Sequence, residues 1–244
     1  MIEPSPLTES ISAFTYPSGD NISCNGLNDG SIDLTIGGGS PNYTYAWTGP
    51  NGFTSSAQNL TDLAAGQYDV VVTDENGCTI LSSITLTEPS LLTESISAFT
   101  YPSGDNISCN GLNDGSIDLT IGGGSPNYTY AWTGPNGFTS SAQNLTDLAA
   151  GQYDVVVTDE NGCTISSSIT LTEPTPLTES ISAFTYPSGD NISCNGLNDG
   201  SIDLVIGGGS PTYTYAWTGP NGFTSTAQNL TNLEAGQYDV VVTD

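Results

Sequence analysis

Five cysteines are the residues of this chain whose type and spacing most directly predict chemistry. The spacing from Cys24 to Cys78 is identical to the spacing from Cys109 to Cys163. In an acidic chain rich in Ser, Thr and Asn, this repeated spacing predicts a disulfide within each pair and an oxidising compartment. Closing a loop of that length would stabilise a domain by ~4 kcal/mol in the chain-entropy model. Cys194 has no later cysteine at the same spacing and is expected to be unpaired.

Other chemistry of the cysteines stays open or is disfavoured. The pairs could instead be buried free thiols, whereas a zinc site with two thiolates lacks further soft ligands.

The chain contains no His, Lys or Arg. A Ser-His-Asp triad, a Schiff-base lysine and a histidine metal site are therefore excluded. Paired carboxylates are present, but no pattern marks a hydrolase cleft around them. We expect a protein that is not an enzyme.

Carboxylates dominate the charge of the chain. It has 26 Asp and Glu residues and a net charge of −26. This charge repels phosphate backbones and anionic lipids, so we expect no nucleic-acid partner. Calcium is the natural counter-ion, because it takes carboxylate and carbonyl oxygens, although the spacing matches no EF-hand loop and acidic turns are often only solvated. The best candidate ligands are Asp29 and Asp33 and their equivalents, Asp114, Asp118, Asp199 and Asp203.

Three aromatic residues alternate along one predicted strand. Tyr43, Tyr45 and Trp47 would lie on one face of that strand. They could form a platform for sugar rings. The alternative is that they pack between two sheets, with Trp47 close to a Cys24–Cys78 bridge.

These residues recur because the chain is an array of one unit. Residues 24–47 return unchanged at 109–132, and at 194–217 with only Val205 and Thr212 differing. This 85-residue period is long enough for each copy to bury its own core. We predict repeats at 5–89, 90–174 and 175–244, the last lacking its final strand. Residues 1–4 would be the tail of a preceding repeat or a stub in its place.

The apolar pattern inside each copy has a period of two. Residues 31–36 place Ile32 and Leu34 on one face, and residues 67–73 do the same with Tyr68, Val70 and Val72. Turn signals follow at short, regular intervals, including an Asn-Gly hairpin turn before Cys78. About seven antiparallel strands per copy predict an all-β fold of tandem Ig-like or PKD-like sandwiches. Short linkers containing proline, at 88–91 and 173–176, predict semi-rigid joints.

Several short motifs together resemble the SprB-type repeat of large surface adhesins from gliding bacteria. They are Cys24-Asn-Gly, Asp29-Gly-Ser-Ile, Gly38-Gly39, Tyr43-Thr-Tyr-x-Trp47, Ala65-Gly-x-Tyr68 and Val72-Thr-Asp-x-Asn-Gly-Cys78. The resemblance covers essentially the whole chain, three times over. It implies an Ig-like or PKD-like sandwich, export by the type IX route, and a role in adhesion or gliding motility.

The expected function is therefore an extracellular stalk at the cell surface that holds a distal binding region away from the cell. Its partner would be an unknown surface or glycan ligand. Two alternatives are a carbohydrate-binding array and a subunit that assembles into fibres when a neighbouring chain supplies the missing strand. Residues 1–4 do not resemble a signal peptide, so an export signal is expected outside this sequence. No apolar run approaches the ~20 residues of a membrane helix, and no direct membrane insertion is expected.

Overall fold

The computed structural model describes residues 5–244, which form 20 β-strands, three short 3-10 turns and no α-helix. The predicted role of residues 1–4 lies outside the described residues. The strand pattern follows the 85-residue period of the sequence, since Thr8, Thr93 and Thr178 begin equivalent strands. The all-β prediction is confirmed.

The strands recur from copy to copy along the chain. The first copy contains β1 (Thr8–Ala13), β2 (Gly30–Gly37), β3 (Thr44–Thr48), β4 (Thr54–Ser55), β5 (Leu60–Leu63), β6 (Gly66–Thr73) and β7 (Thr79–Leu86). The second contains β8 (Thr93–Ala98), β9 (Gly115–Gly122), β10 (Thr129–Thr133), β11 (Thr139–Ser140), β12 (Leu145–Leu148), β13 (Gly151–Thr158) and β14 (Thr164–Leu171). The third contains β15 (Thr178–Ala183), β16 (Gly200–Gly207), β17 (Thr214–Thr218), β18 (Thr224–Ser225), β19 (Leu230–Leu233) and β20 (Asp239–Thr243). The 3-10 turns are Pro50–Gly52, Pro135–Gly137 and Pro220–Gly222.

Each copy builds two antiparallel sheets with the same connectivity. In the first copy the strand orders are β1-β2-β5 and β4-β3-β6-β7. The second copy repeats them as β8-β9-β12 and β11-β10-β13-β14, and the third has β15-β16-β19 and β18-β17-β20. One sheet thus pairs the second strand with the first and fifth, and in the first two copies the other sheet places the sixth strand between the third and seventh. This is the pairing of an immunoglobulin-like sandwich, so the predicted fold class is confirmed.

The alternating apolar residues form the core between the sheets. Ile32 is fully buried and Leu34 is 1% exposed, while Tyr68, Val70 and Val72 are buried in the opposite sheet. These residues belong to one cluster, which also contains Ile22, Trp47, Leu60, Leu63 and Leu86. Burying a side chain of this size stabilises the fold by roughly 1.5–3 kcal/mol. The period-two pattern therefore identified the core face of both strands.

The two ends of the first sandwich are defined by its strand register. At the upper end, β6 finishes at Thr73, which lies opposite both Thr44 and Thr79. A loop joins β3 there to the end of β2, and Gly37 lies opposite Thr8. At the lower end, β2 begins at Gly30, and β7 ends at Leu86. The loop that leads into β2 and the hairpin between β6 and β7 therefore lie at opposite ends.

The chain divides into two compact units that do not coincide with the sequence repeats. The described part of the first covers residues 5–96, 119–143 and 154–168, and the second covers 97–118, 144–153 and 169–244. The first unit holds the complete first copy and part of the second. The boundaries at 89 and 174 stay a prediction of the sequence period.

Candidate functional site

The structure corrects the predicted disulfide pairing. Cys24 is bonded to Cys163, at a sequence separation of 139, with the two Cα atoms 5.7 Å apart. Cys78 and Cys109, the partners predicted for these two residues, carry free thiols, and so does Cys194. Both bonded residues belong to the first compact unit. The bond therefore joins the first cysteine of the first copy to the second cysteine of the second copy.

The strand topology explains why Cys24 does not pair with Cys78. Cys24 lies in the loop before β2, at the lower end of the sandwich, whereas Cys78 ends the hairpin turn at the upper end. The 8 residues of β2 lie between these ends and span about 25 Å. A disulfide requires Cα atoms about 4.4–6.8 Å apart. The predicted bridge would therefore require the sandwich to unfold.

An asparagine beside the bond supplies further contacts between the two copies. The Asn161 side-chain amide donates to Ser18 Oγ at 2.9 Å and to Ser23 O at 3.0 Å. It also lies 2.8 Å from Ser125 Oγ in its own copy. Cys163 Sγ lies 3.3 Å from the same Ser23 carbonyl oxygen. We call the set Ser18, Ser23, Cys24, Asn161 and Cys163 the clasp.

A buried carboxylate shapes the hairpin that carries Asn161 and Cys163. Asp159 is 5% exposed, and its Oδ1 accepts the backbone N–H groups of Asn161 at 3.0 Å and Cys163 at 2.9 Å. Its Oδ2 accepts the N–H of Ser125 at 2.9 Å. Three donors on one carboxylate hold the turn and the glycine-rich loop together as one end of the sandwich.

The same arrangement occurs in the first copy around Asp74. Asp74 accepts the N–H groups of Ser40 at 2.9 Å, Asn76 at 3.0 Å and Cys78 at 2.8 Å. The hydrogen bonds from Ser40 and Cys78 hold the pKa of the Asp74 carboxyl below its usual value. The hairpin is therefore folded in the same way whether or not its cysteine is bonded.

Another carboxylate shapes the loop that carries Cys24. Asp29 Oδ1 accepts the N–H of Ser23 at 3.1 Å, and Oδ2 accepts the hydroxyl groups of Ser23 and, at 3.0 Å, of Tyr16. Burial acts to raise the pKa of the Asp29 carboxyl, but the hydrogen bonds from Ser23 and Tyr16 outweigh it and hold the pKa below its usual value. Asp29 thus positions the backbone next to Cys24.

The linker between the copies is tied to this loop. Gly26 N–H donates to the Glu88 carboxylate at 2.6 Å, and the Asn25 side chain donates to Pro89 O at 3.0 Å. On the far side of the linker, Ser90 O accepts the N–H of Gly124 at 2.8 Å. These contacts join the two copies beside the clasp, and the semi-rigidity of the joint stays a prediction of the sequence.

The predicted calcium ligands do not converge. Asp29 uses its oxygens as acceptors for Ser23 and Tyr16, and Asp33 is exposed on β2. Within residues 5–244, no group of three or more His, Cys, Asp or Glu side chains is close enough to hold a metal ion. Calcium binding by the six aspartates (Asp29, Asp33, Asp114, Asp118, Asp199 and Asp203) stays a prediction of the sequence.

The proposed platform of Tyr43, Tyr45 and Trp47 is corrected by the burial of its largest ring. Trp47 is 1% exposed, and its Nε1–H donates to Ala57 O at 2.9 Å. Tyr43 and Tyr45 are partly buried against the core, and the Tyr43 hydroxyl donates to Gly38 O at 2.6 Å. A sugar platform requires an exposed ring face, which Trp47 lacks. The three residues follow the core interpretation instead.

Sequence reasoning did not identify Asn161, Ser18 or Asp159 as functional residues. A signal was present, because Asn and Cys follow the hairpin aspartate at the same positions in both complete copies, Asp74 and Asp159.

None of the helical segments in residues 5–244 has the length and apolar character needed to cross a membrane.

The fold and the clasp define a class of protein, a tandem array of immunoglobulin-like sandwiches with a covalent cross-link between copies. The family model described as "SprB repeat" matches the chain at three tandem positions, residues 19–52, 104–137 and 189–222. The predicted SprB-type resemblance is therefore confirmed. Each match contains the loop with the first cysteine, the second strand and the aromatic strand. No curated protein matches the chain.

Solved structures share only a distant likeness with this chain. An amphioxus IgVJ-C2 molecule is 14% identical, with 67% of this chain and 96% of that chain covered and a TM-score of 0.26. Extracellular domains 3–5 of Drosophila OTK are 12% identical, with 99% of this chain and 88% of that chain covered and a TM-score of 0.27. A tetra-tandem repeat in the extending region of a large adhesion protein is 16% identical, with 96% of this chain and 66% of that chain covered and a TM-score of 0.27. Similarity at this level does not extend to function.

Proposed function

We propose that this chain is the repeat region of a bacterial cell-surface adhesin, where it acts outside the cell as a spacer for a binding region elsewhere in the protein. The observation that carries the proposal is the Cys24–Cys163 bond, which links successive SprB repeats covalently. Disulfides persist in oxidising environments, which favours an extracellular location. Adhesion and gliding motility are the roles that the SprB resemblance implies.

The composition of the chain supports a mechanical role and not a catalytic one. The sequence has no His, Lys or Arg to serve as a catalytic base or a nucleophilic amine. A net charge of −26 makes separate molecules of this chain repel one another in solution. The composition also leaves no Lys or Arg at which trypsin-like proteases cut. These properties suit a polypeptide that is exposed to the surroundings of a cell.

The proposal is tested by the height of an epitope above a surface. The chain, and a tandem duplicate of it, are placed between a cell-surface anchor and a fluorescent epitope, whose height is measured by interference microscopy. If the chain is a folded spacer, the height of the epitope increases in proportion to chain length, so the tandem duplicate raises it about twice as far as the single chain. A Gly/Ser sequence of equal length is the control, and doubling it raises the height only ~1.4-fold, because a flexible chain grows with the square root of its length.

The outcomes separate the spacer from its alternatives. Square-root scaling of the folded chain would overturn the spacer. Retention of glycan-coated beads by the chain without its epitope would favour the carbohydrate-binding array, for which the buried Trp47 ring provides no platform.

A further inference from the structure

The bond between Cys24 and Cys163 joins two positions of the repeat, and both positions carry cysteines elsewhere in the chain. Cys163 lies one full repeat period after Cys78, so it is the second cysteine of its copy, while Cys24 is the first of its own. The bond therefore runs from the loop of one copy to the hairpin of the next. We call the loop that carries the first cysteine of a copy the loop half, and the hairpin that carries the second cysteine the hairpin half. The loop half recurs at Cys109 and Cys194, and the hairpin half recurs at Cys78.

The loop half around Cys109 is already assembled without a partner. Asp114 accepts the N–H of Ser108 at 3.1 Å and the hydroxyl of Tyr101 at 3.2 Å, as Asp29 does from Ser23 and Tyr16 in the loop that carries Cys24. The turn beside it is also the same, with the N–H of Tyr101 2.8 Å from Asp105 O in the second copy. The Cys109 thiol is free and partly exposed.

The hairpin half around Cys78 is likewise assembled without a partner. Asp74 holds the hairpin through Ser40, Asn76 and Cys78, and the Asn76 side chain donates to Ser40 Oγ at 2.6 Å. In the clasp, the equivalent amide of Asn161 keeps this bond to its own serine and adds contacts to the loop of the other copy.

The exposure of equivalent residues shows what the clasp covers. Ser125 is completely buried in the clasped hairpin, while the equivalent Ser40 is partly exposed in the unclasped one. In the loops, Ser23 is 8% exposed in the clasp, Ser108 is intermediate and Ser193 is exposed. Both surfaces are thus preformed, and each becomes buried when it meets the other.

We propose that the loop of each copy, here Cys109 and Cys194, is a docking and cross-linking site for the hairpin of a following copy, so that an array of this repeat closes every joint with the same disulfide. The partner is a second copy of the hairpin Asp-Glu-Asn-Gly-Cys. An external small-molecule disulfide, such as oxidised glutathione, is the oxidant. Two protein thiols form one Sγ–Sγ bond, the oxidant's S–S bond breaks, and its two sulfurs take the two electrons and two protons as two thiols.

The test extends the full chain after Asp244 with a copy of residues 160–174, which completes the hairpin and last strand of the third copy. The extended protein is refolded with a reduced and oxidised glutathione couple, its free thiols are alkylated, and it is cleaved after glutamate. A glutamate separates each consecutive pair of cysteines, at Glu75, Glu94, Glu160 and Glu179, so every native cysteine lies on its own fragment. Glu234 and the first added residue likewise separate the added cysteine from Cys194.

We expect two linked fragment pairs, Cys24 with Cys163 and Cys109 with the added cysteine. The matched control has serine in place of the added cysteine and leaves Cys109 alkylated. A link from the added cysteine to Cys194, which belongs to the same copy, would overturn the proposal. An added cysteine that stays free while Cys24–Cys163 forms would overturn it as well.

A measurement on the unextended chain guards against misfolding of the extension. Alkylation before and after denaturation should label Cys78, Cys109 and Cys194 and leave Cys24 and Cys163 unlabelled until a reductant is added. Labelling of Cys24 in the native, oxidised chain would contradict the clasp itself. This outcome is distinct from a failure of the spacer function, since the pairing rule does not depend on where the protein acts.

Discussion

The clasp should shield a large part of the chain from a pulling force. Tension applied at the two termini passes through the Cys24–Cys163 bond and not through the 139-residue segment that it closes. At about 3.5 Å per extended residue, this segment withholds about 490 Å of chain. Of the 244 residues, about 105 remain to be extended, which corresponds to about 370 Å instead of about 850 Å.

Single-molecule force spectroscopy measures this difference directly. The chain is held by its termini and stretched until every copy has unfolded, with and without reductant. The Cys163→Ser variant should extend to about 850 Å in both conditions, and the wild-type chain should do so only when reduced. Cys78→Ser is the matched control, because Cys78 is free and its loss should leave the oxidised length unchanged.

The result also distinguishes the clasp from the pairing predicted by the sequence. Bridges within the copies would withhold the two segments from Cys24 to Cys78 and from Cys109 to Cys163, about 380 Å in all, and Cys78→Ser would release half of that length. A full-length extension of the oxidised wild-type chain, or a longer extension after Cys78→Ser, would refute the reasoning.

Three further predictions concern the stability of the first copy. Trp47→Ala should lower the free energy of unfolding by ~3–5 kcal/mol through the cavity it leaves, measured in urea by circular dichroism, whereas Leu81→Ala, at a residue 73% exposed, should change it by ~0.5 kcal/mol or less. Gly38→Ala should destabilise more than Gly19→Ala in the same assay. Both glycines have positive φ, 70° and 95°, but only at Gly38 would an added Cβ overlap a backbone carbonyl oxygen, while Gly19 faces open space. The pKa of Asp29 is lower in the folded protein than in the unfolded chain, so its ionised carboxylate stabilises the fold at pH values above the ordinary pKa of aspartate. This stabilisation is lost as the pH falls through the folded-state pKa. Asp29→Asn should therefore unfold at lower urea than wild type at pH 6, and the difference should narrow below about pH 4; a constant difference across that range would contradict this assignment.

Much of the fold is predictable because it depends on local patterns. Alternating residues such as Ile32, Leu34, Val70 and Val72 identify strands and their buried faces, since a strand exposes successive side chains on opposite sides. The two buried residues of β5, Leu60 and Leu63, do not show this alternation. These two buried leucines are three positions apart, with a register shift between them, and this hides the period of two.

The aromatic residues show where a local pattern stops being informative. Alternation places Tyr43, Tyr45 and Trp47 on one face of the strand, but it does not say whether that face meets solvent or another sheet. Trp47 is buried because the sheet of β1, β2 and β5 covers it. That contact depends on residues far away in the sequence.

The sequence by itself determined the 85-residue repeat, the all-β class and the resemblance to SprB repeats, because all three are properties of residue order along the chain. Only the tertiary structure decided how the cysteines pair. The cysteine spacing is equal in both complete copies, yet the strands between Cys24 and Cys78 place them at opposite ends of one sandwich. The hairpin of the second copy lies beside the loop of the first, where linker contacts also join the copies and Cys163 is within bonding distance of Cys24. Pairing follows distance in space, and in an antiparallel fold that distance is set by which end of the sheet each loop occupies.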